Sequence, residues 1–142
     1  MTTKAIEILD KDPEGFFLMV EASQPDWRGE DNATIDSVVA EMLDLDRAIG
    51  LAVEYQREHP STLIVVVSDH EAGGLALQYA SPGDPDYVEV PPGDPSGRWP
   101  IVARYTTGVH TATMVPLFAS GPGAERFGGV RENWEIGQLL ME

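Results

Sequence analysis

The sequence predicts an α/β fold in which helices flank a parallel-type sheet, within a single domain formed by residues 1–142. Short apolar runs rich in β-branched residues alternate with stretches of helical periodicity, a pattern typical of a parallel sheet. Residues with metal-ligating side chains follow several of these runs, where open α/β sheets place their sites. Of the 142 residues, 42% are hydrophobic, which is enough for a core of useful size.

Local patterns assign the individual elements. Helical character predicts three helices: 2–9, 35–53 and 133–141. Apolar runs bounded by polar, glycine or proline residues predict four strands: 15–20, 62–68, 75–80 and 115–119. Pro60 closes the long middle helix, because proline cannot continue a helical hydrogen-bond pattern. Segment 81–99 contains prolines and two Gly-Asp-Pro near-repeats, and is expected to form an exposed loop excursion.

Charge and composition exclude several classes of partner. The chain has 24 acidic and 9 basic residues and a formal net charge of −15, which repels nucleic acid and anionic membranes. No apolar stretch approaches the roughly 18–20 residues that span a membrane. The absence of cysteine leaves carboxylate and imidazole as the available metal ligands. We therefore expect neither a nucleic-acid partner nor a membrane partner.

Carboxylates and imidazoles in three loops are the candidate metal ligands. Asp69 and His70 end a predicted buried strand, and successive strand residues point to opposite faces, so the pair can reach two positions. That arrangement suits two metal ions about 4 Å apart. The complete set is Glu21, Asp26, Glu30, Asp69, His70 and His110. Its four carboxylates would repel one another in a dry pocket without cations, so the cluster predicts metal binding if it converges.

In order and spacing these pieces resemble the alkaline phosphatase family. The signature pieces are Gly-Phe-Phe-Leu-Met-Val-Glu at 15–21, a following aspartate, a strand ending in Asp-His before Gly73 and Gly74, and a late His-Thr before Val-Pro. The resemblance implies a partial alkaline-phosphatase-like fold. It also implies an enzyme that hydrolyses phosphate monoesters with two zinc ions and a magnesium ion. Family members are commonly periplasmic or extracellular, whereas the sequence itself identifies no compartment.

The same resemblance implies a role for each ligand. The positions matched by Asp26 and His110 hold one zinc ion, those matched by Asp69 and His70 contribute to the second, and that of Glu21 holds magnesium. Glu30 stands where the family usually has a histidine as the third protein ligand of the first zinc. A carboxylate there makes the site richer in oxygen, which weakens the preference for zinc over magnesium or manganese.

A second departure concerns the nucleophile. The family's nucleophilic serine, its neighbouring aspartate ligand and the phosphate-binding arginine lie in an N-terminal half that these 142 residues lack. The chain is therefore expected to be the C-terminal portion of an alkaline phosphatase, weak or inactive alone, with a homodimer mate or the missing half as partner. Ser37 resembles the nucleophile motif only superficially, and is expected to help Asp36 cap the long helix.

Simpler interpretations of the candidate residues stay open. Asp69 and His70 alone are also what a capped strand end looks like, and Glu21 is also compatible with a solvent-facing strand terminus. Glu30 could cap a helix near Asn32. The competing functional class is a non-catalytic metal-binding or assembly module that exposes a sheet face. A contiguous exposed apolar patch would support that class.

Overall fold

A computed structural model describes residues 1–84 and 100–141 of the chain. Within these residues there are four α-helices: α1 Thr2–Leu9, α2 Gln24–Glu30, α3 Ile35–Glu58 and α4 Asn133–Met141. Six short strands lie between them: β1 Ile64–Val67, β2 Glu71–Ala72, β3 Ala76–Tyr79, β4 Ile101–Arg104, β5 His110–Thr111 and β6 Leu117–Ser120. A 3-10 helix, Ala124–Phe127, follows β6. The three predicted helices are confirmed, and α2 is an additional one.

The long helix α3 organises the N-terminal part of the fold. It runs for 24 residues, because its apolar residues recur at helical spacing, and it ends at Glu58, directly before His59 and Pro60. The predicted capping role of Asp36 and Ser37 is not observed. Thr34 occupies the N-cap position without a side-chain cap hydrogen bond, while Asp36 lies within the first turn, where its charge favours the helix dipole.

Side chains of α3 attach it to its neighbours. Gln56 Nε2 donates to the carbonyl oxygens of Thr62, at 2.8 Å, and Ser120, at 2.9 Å, which ties the helix to the edges of β1 and β6. On the other side, the Tyr55 hydroxyl donates to Asp10, just beyond α1. The His59 ring stacks on Tyr55 with centroids 4.1 Å apart, so this histidine has a packing role.

The strands form three separate two-stranded sheets, and every pairing in the described part of the chain is antiparallel. β1 pairs with β6, β2 with β5, and β3 with β4. The predicted parallel sheet is therefore not confirmed. Alternation of strands and helices along a sequence describes neighbours in the chain, whereas β1 and β6 pair across more than forty residues, a choice that local patterning does not encode.

The apolar segment 15–20 does not form the predicted strand with any described residue. Its backbone follows the turn that ends at Gly15 and carries no strand assignment. Phe17, Met19 and Val20 are 70%, 78% and 48% exposed. Such an apolar run is typical of a strand between two neighbours, but here it leaves apolar side chains in contact with solvent.

The hydrophobic core of the described residues is small. Four hydrophobic side chains are buried among the described residues, namely Val38, Val102, Phe127 and Ile136. None of the described helices combines the length and apolar character that crossing a membrane requires. Most of the predicted loop excursion, residues 85–99, lies outside the described residues. Its first residues, 81–84, form a turn in which the Ser81 amide donates to Asp84.

Candidate metal centre

Three segments of the chain meet at one site: α2, the turn between β1 and β2, and β5. The register of β2 with β5 places His110 opposite Ala72, two residues after His70. Helix α2 contacts β2, the strand that follows this turn, through Gly29, where a Cβ atom would lie only 2.7 Å from the Ala72 carbonyl oxygen. A residue without a side chain is needed at this contact. The local pairing and the glycine contact together bring distant ligands into one place.

Asp26, His70 and His110 form the centre of the site. Each offers one ligand atom, and these atoms all lie within 4.8 Å of one another. Asp26 Oδ1 is 3.8 Å from His70 Nδ1 and 3.5 Å from His110 Nε2. Ligand atoms about 2.1 Å from a tetrahedrally coordinated ion lie about 3.4 Å apart. The three side chains therefore have a separation close to that of ligands around one ion.

The buried oxygen of Asp26 tests whether this arrangement suits a cation. Oδ1 is shielded from solvent and accepts no hydrogen bond from the described residues. A buried carboxylate oxygen without a donor is costly unless a cation satisfies it. Two imidazoles and a carboxylate are a donor set that zinc and other divalent ions accept. The residues present therefore fit a metal ion.

Glu30 adds a second carboxylate at the same edge of the cluster. It lies one helical turn after Asp26 on α2, so both side chains project from one face. Its Oε1 is 3.1 Å from His110 Nε2. Glu30 thus faces the imidazole of His110, and an ion bound by Asp26 and His110 would lie within its reach.

The remaining two predicted ligands lie differently. The carboxylate of Asp69 is 83% exposed, and its Oδ2 is 3.4 Å from His70 Nε2. The Asp69 carbonyl accepts a hydrogen bond of 2.8 Å from Asn133 Nδ2, which fixes this turn to the start of α4. Glu21 is exposed and makes no ion pair or hydrogen bond with another described residue. The structure thus gathers four predicted ligands, places Asp69 beside them and leaves Glu21 outside the cluster.

The two imidazole rings of the site lie against each other. The His70 and His110 centroids are 3.4 Å apart, with an angle of 17° between the ring planes. His70 therefore joins Asp26 and His110 in one cluster, whereas the resemblance assigned it with Asp69 to a separate metal position. The assignment of the ligands to two positions stays a prediction.

Sequence reasoning missed Glu71, the residue after His70. Its half-buried carboxylate accepts hydrogen bonds from the backbone amides of Gly74 and Leu75 and from the Thr111 hydroxyl. Partial burial alone raises the pKa of Glu71, but these hydrogen bonds and the nearby His110 outweigh it, so that the pKa is lowered from its ordinary value. The only signal in the sequence is its position directly after Asp69 and His70.

One known protein family matches the first part of the chain. The family model described as alkaline phosphatase matches residues 1–89. The chain belongs to the alkaline phosphatase family. The matched part contains every predicted ligand except His110, which lies later in the chain.

Individual alkaline phosphatases are similar over nearly the whole chain. Alkaline phosphatase 3 of Bacillus subtilis is 28% identical, and the similarity covers 100% of this chain and 43% of that protein. Streptomycin-6-phosphate phosphatase of Streptomyces griseus is 33% identical, over 86% of this chain and 28% of that protein. The chain thus spans less than half the length of these relatives.

Solved structures support an alkaline-phosphatase-like fold. Alkaline phosphatase from the Antarctic bacterium TAB5 is 38% identical and superposes with a TM-score of 0.81, covering 99% of this chain and 38% of that one. A mutant of the TAB5 enzyme with magnesium bound in its M3 site superposes with a TM-score of 0.83, covering 99% and 39% at 37% identity. The separate antiparallel sheets described above therefore belong to part of a larger known architecture.

Proposed function

We propose that this chain carries the metal-ligand portion of an alkaline phosphatase that hydrolyses phosphate monoesters. The observation that carries the proposal is the buried Asp26 Oδ1, which has no hydrogen-bond donor among the described residues and lies between two imidazole nitrogens. Membership of the alkaline phosphatase family supports the reaction class. The magnesium in the TAB5 mutant supports a divalent cofactor.

The proposed cofactors are two zinc ions and one magnesium ion. Asp26, Glu30 and His110 are the proposed ligands of the first zinc, and Asp69 and His70 contribute to the second. Glu21 is the proposed magnesium ligand. When bound by these residues, divalent ions would stabilise the negative charge that develops during hydrolysis of a phosphate monoester.

The chain's own residues have two tasks in this proposal. His70 and His110 must be neutral to bind metal, so their rings present an unprotonated nitrogen to the site. The carboxylates of Asp26 and Glu30 hold negative charge close to these rings, at 3.5 and 3.1 Å from His110 Nε2. This charge keeps a cation in place, and the two-carboxylate edge favours harder divalent ions than an all-nitrogen site would.

The nucleophile is proposed to come from outside these 142 residues. The chain corresponds to 43% of the length of the Bacillus subtilis relative. We propose that the isolated chain has weak or no turnover, and that its partner is a second copy or the half that carries the nucleophile.

A second candidate is a metal-binding or assembly module without catalysis. Exposed apolar side chains favour it: Phe17, Met19, Met114 and Phe118 are 70%, 78%, 78% and 65% exposed. Exposed apolar side chains are what a contiguous interaction surface would require. Such a module would bind metal, or associate with a partner or itself, but would release no phosphate.

Zinc titration of the purified chain, by calorimetry and elemental analysis, tests the proposed function. Binding at micromolar affinity or better is expected, and should be weakened strongly in His70→Ala and His110→Ala. His59→Ala is the matched control, because that ring stacks on Tyr55 away from the cluster. Saturable zinc-dependent hydrolysis of an aryl phosphate that is lost in His70→Ala supports the enzyme, and binding without hydrolysis supports the module. No zinc binding in the folded wild-type chain contradicts the proposed metal centre of the isolated chain and leaves the assembly module as the favoured function.

A further inference from the structure

We propose that Glu71, which directly follows His70, is a positioning residue: its carboxylate ties the turn at residues 73–75 to the strand carrying His110 and so sets the separation of the two imidazoles. The inference rests on the proposed metal site, because the separation of the two rings matters for function only if both of them bind metal ions there. It concerns a residue that contacts neither substrate nor metal in that proposal.

The carboxylate of Glu71 joins two segments through both of its oxygens. Oε1 accepts from the Leu75 amide at 2.9 Å, and Oε2 accepts from the Gly74 amide at 3.0 Å. Oε2 also accepts from the hydroxyl of Thr111 in β5. Two donors thus belong to the turn at residues 73–75, which follows β2, and the third belongs to β5. Hydrogen bonds to an ionised carboxylate are roughly twice as strong as those between neutral groups.

The bridge lies beside both imidazoles. Glu71 directly follows His70, Thr111 directly follows His110, and Glu71 and Thr111 are paired in the β2–β5 register. The Glu71–Thr111 hydrogen bond therefore joins the immediate neighbours of the two ring-bearing residues. Those rings lie 3.4 Å apart, so a small change in strand separation alters their relative placement directly.

Glu71 is placed to orient the ligands instead of binding the ion. The described residues whose ligand atoms converge are Asp26, His70 and His110, and Glu71 is not among them. Both of its oxygens already accept hydrogen bonds, from three donors in all. A carboxylate in this situation supports the first ligands through the backbone, in the manner of outer-shell partners at other metal sites.

The same turn also reaches the third segment of the site. Gly73 and Gly74 both adopt positive φ, +82° and +59°, and the Glu71 carboxylate accepts from the amide of the second. The Gly73 amide donates to Val109 at 3.1 Å, one residue before His110. The adjoining Ala72 packs directly against Gly29 of α2. A change in the conformation that Glu71 stabilises would therefore shift the contact with α2, which carries Asp26 and Glu30.

Cobalt and zinc binding to matched variants tests the proposal. Glu71→Gln keeps the side-chain shape but presents an amide nitrogen to at least one of the three donors. Thr111→Val removes the bridging hydroxyl at nearly constant volume, and Thr111→Ser restores it. Outer-shell changes typically weaken metal affinity by 10–100-fold. We expect a loss in that range for Glu71→Gln and Thr111→Val, with a shifted visible spectrum of bound Co²⁺, whereas Thr111→Ser stays within about twofold of wild type.

A second readout works without metal. In the metal-free wild type, ring protons of His70 and His110 are close enough for nuclear Overhauser contacts, given the 3.4 Å centroid separation. These contacts should weaken in Thr111→Val and return in Thr111→Ser, while the melting temperatures of the folded variants are compared in parallel. Should Glu71→Gln fail to fold, the two threonine variants carry the test.

The outcomes separate this inference from the proposed function. Wild-type metal affinity, cobalt spectrum and ring contacts in folded Glu71→Gln and Thr111→Val would overturn the positioning role and leave the metal site intact. A wild-type chain that binds neither ion would overturn the proposed metal site. In that case the ring contacts still decide whether Glu71 sets the imidazole separation: their loss in Thr111→Val would support it, and their persistence would refute it.

Discussion

The contact between Gly29 and Ala72 allows a direct test of how the site is assembled. Replacing Gly29 with alanine would place a Cβ atom 2.7 Å from the Ala72 carbonyl oxygen and 2.9 Å from the Ala72 Cβ. Ordinary contacts begin at 3.4 Å, so α2 and the turn must separate by about 0.7 Å to relieve the nearest contact. Asp26 and Glu30 lie on α2, and His70 lies two residues before Ala72. When α2 and Ala72 move apart, the ligands on the two segments therefore move apart as well.

Two energies decide the effect of Gly29→Ala on stability. Alanine in a helix is favoured over glycine by about 1 kcal/mol, whereas an overpacked contact costs about 1–3 kcal/mol. We expect a net loss of about 1 kcal/mol in the free energy of unfolding. Gly50→Ala is the matched control, since Gly50 lies in α3 and a Cβ there meets no atom within 4 Å. That variant should gain about 0.5–1 kcal/mol.

Urea unfolding and zinc calorimetry on both glycine variants provide the assay. Metal–ligand distances tolerate about 0.2 Å, so a displacement of about 0.7 Å should weaken zinc binding at least tenfold in Gly29→Ala. Gly50→Ala should bind zinc as the wild type does. If Gly29→Ala were as stable as Gly50→Ala and bound zinc with unchanged affinity, α2 would not be held against the turn as described.

Three further predictions follow from other contacts. Glu30→His should bind zinc about tenfold more tightly, because an imidazole replaces a carboxylate near His110, and unchanged affinity would mean that Glu30 does not face the ion. The hydrogen bond from Tyr55 to Asp10, with partial desolvation and the carboxylate's charge, raises the pKa of Tyr55 to about 12. Its contribution to stability is therefore present below pH 10 and lost between about pH 10 and pH 12, and Asp10→Asn should return the phenol's absorbance titration towards 10. Gln56→Ala removes the donor to two backbone carbonyls and should lower the free energy of unfolding by about 1–2 kcal/mol in a denaturant titration.

Three of the four described helices were predictable from the sequence, whereas α2 and the strand pairing were not. The long helix α3 follows from apolar residues at helical spacing and from Pro60, both of which act within a few residues. The direction of a strand pair depends on which distant segment lies alongside, so the apolar run of β1 carries no information on its antiparallel partner β6. The segment 15–20 shows the same limit, because its composition suits a strand although no described residue pairs with it.

The candidate ligands could be chosen from the sequence by the chemistry of their side chains. The role of Glu71 could not, because it depends on the geometry of the turn at residues 73–75. Asp26, His70 and His110 lie together, with Glu30 beside His110, and their role as metal ligands stays a prediction. Glu71 could not be assigned beforehand, because its three donors come together only after the turn and β5 have folded.

Zinc-edge X-ray absorption of the zinc-loaded chain is the most direct test of the metal centre. We expect nitrogen and oxygen ligands at about 2.0–2.2 Å, with imidazole scattering from both His70 and His110. His70→Ala and His110→Ala should each reduce the imidazole contribution, and His59→Ala should leave it unchanged. A wild-type spectrum with oxygen ligands alone, or one that the His70 and His110 substitutions do not alter, would contradict a centre built on Asp26, His70 and His110.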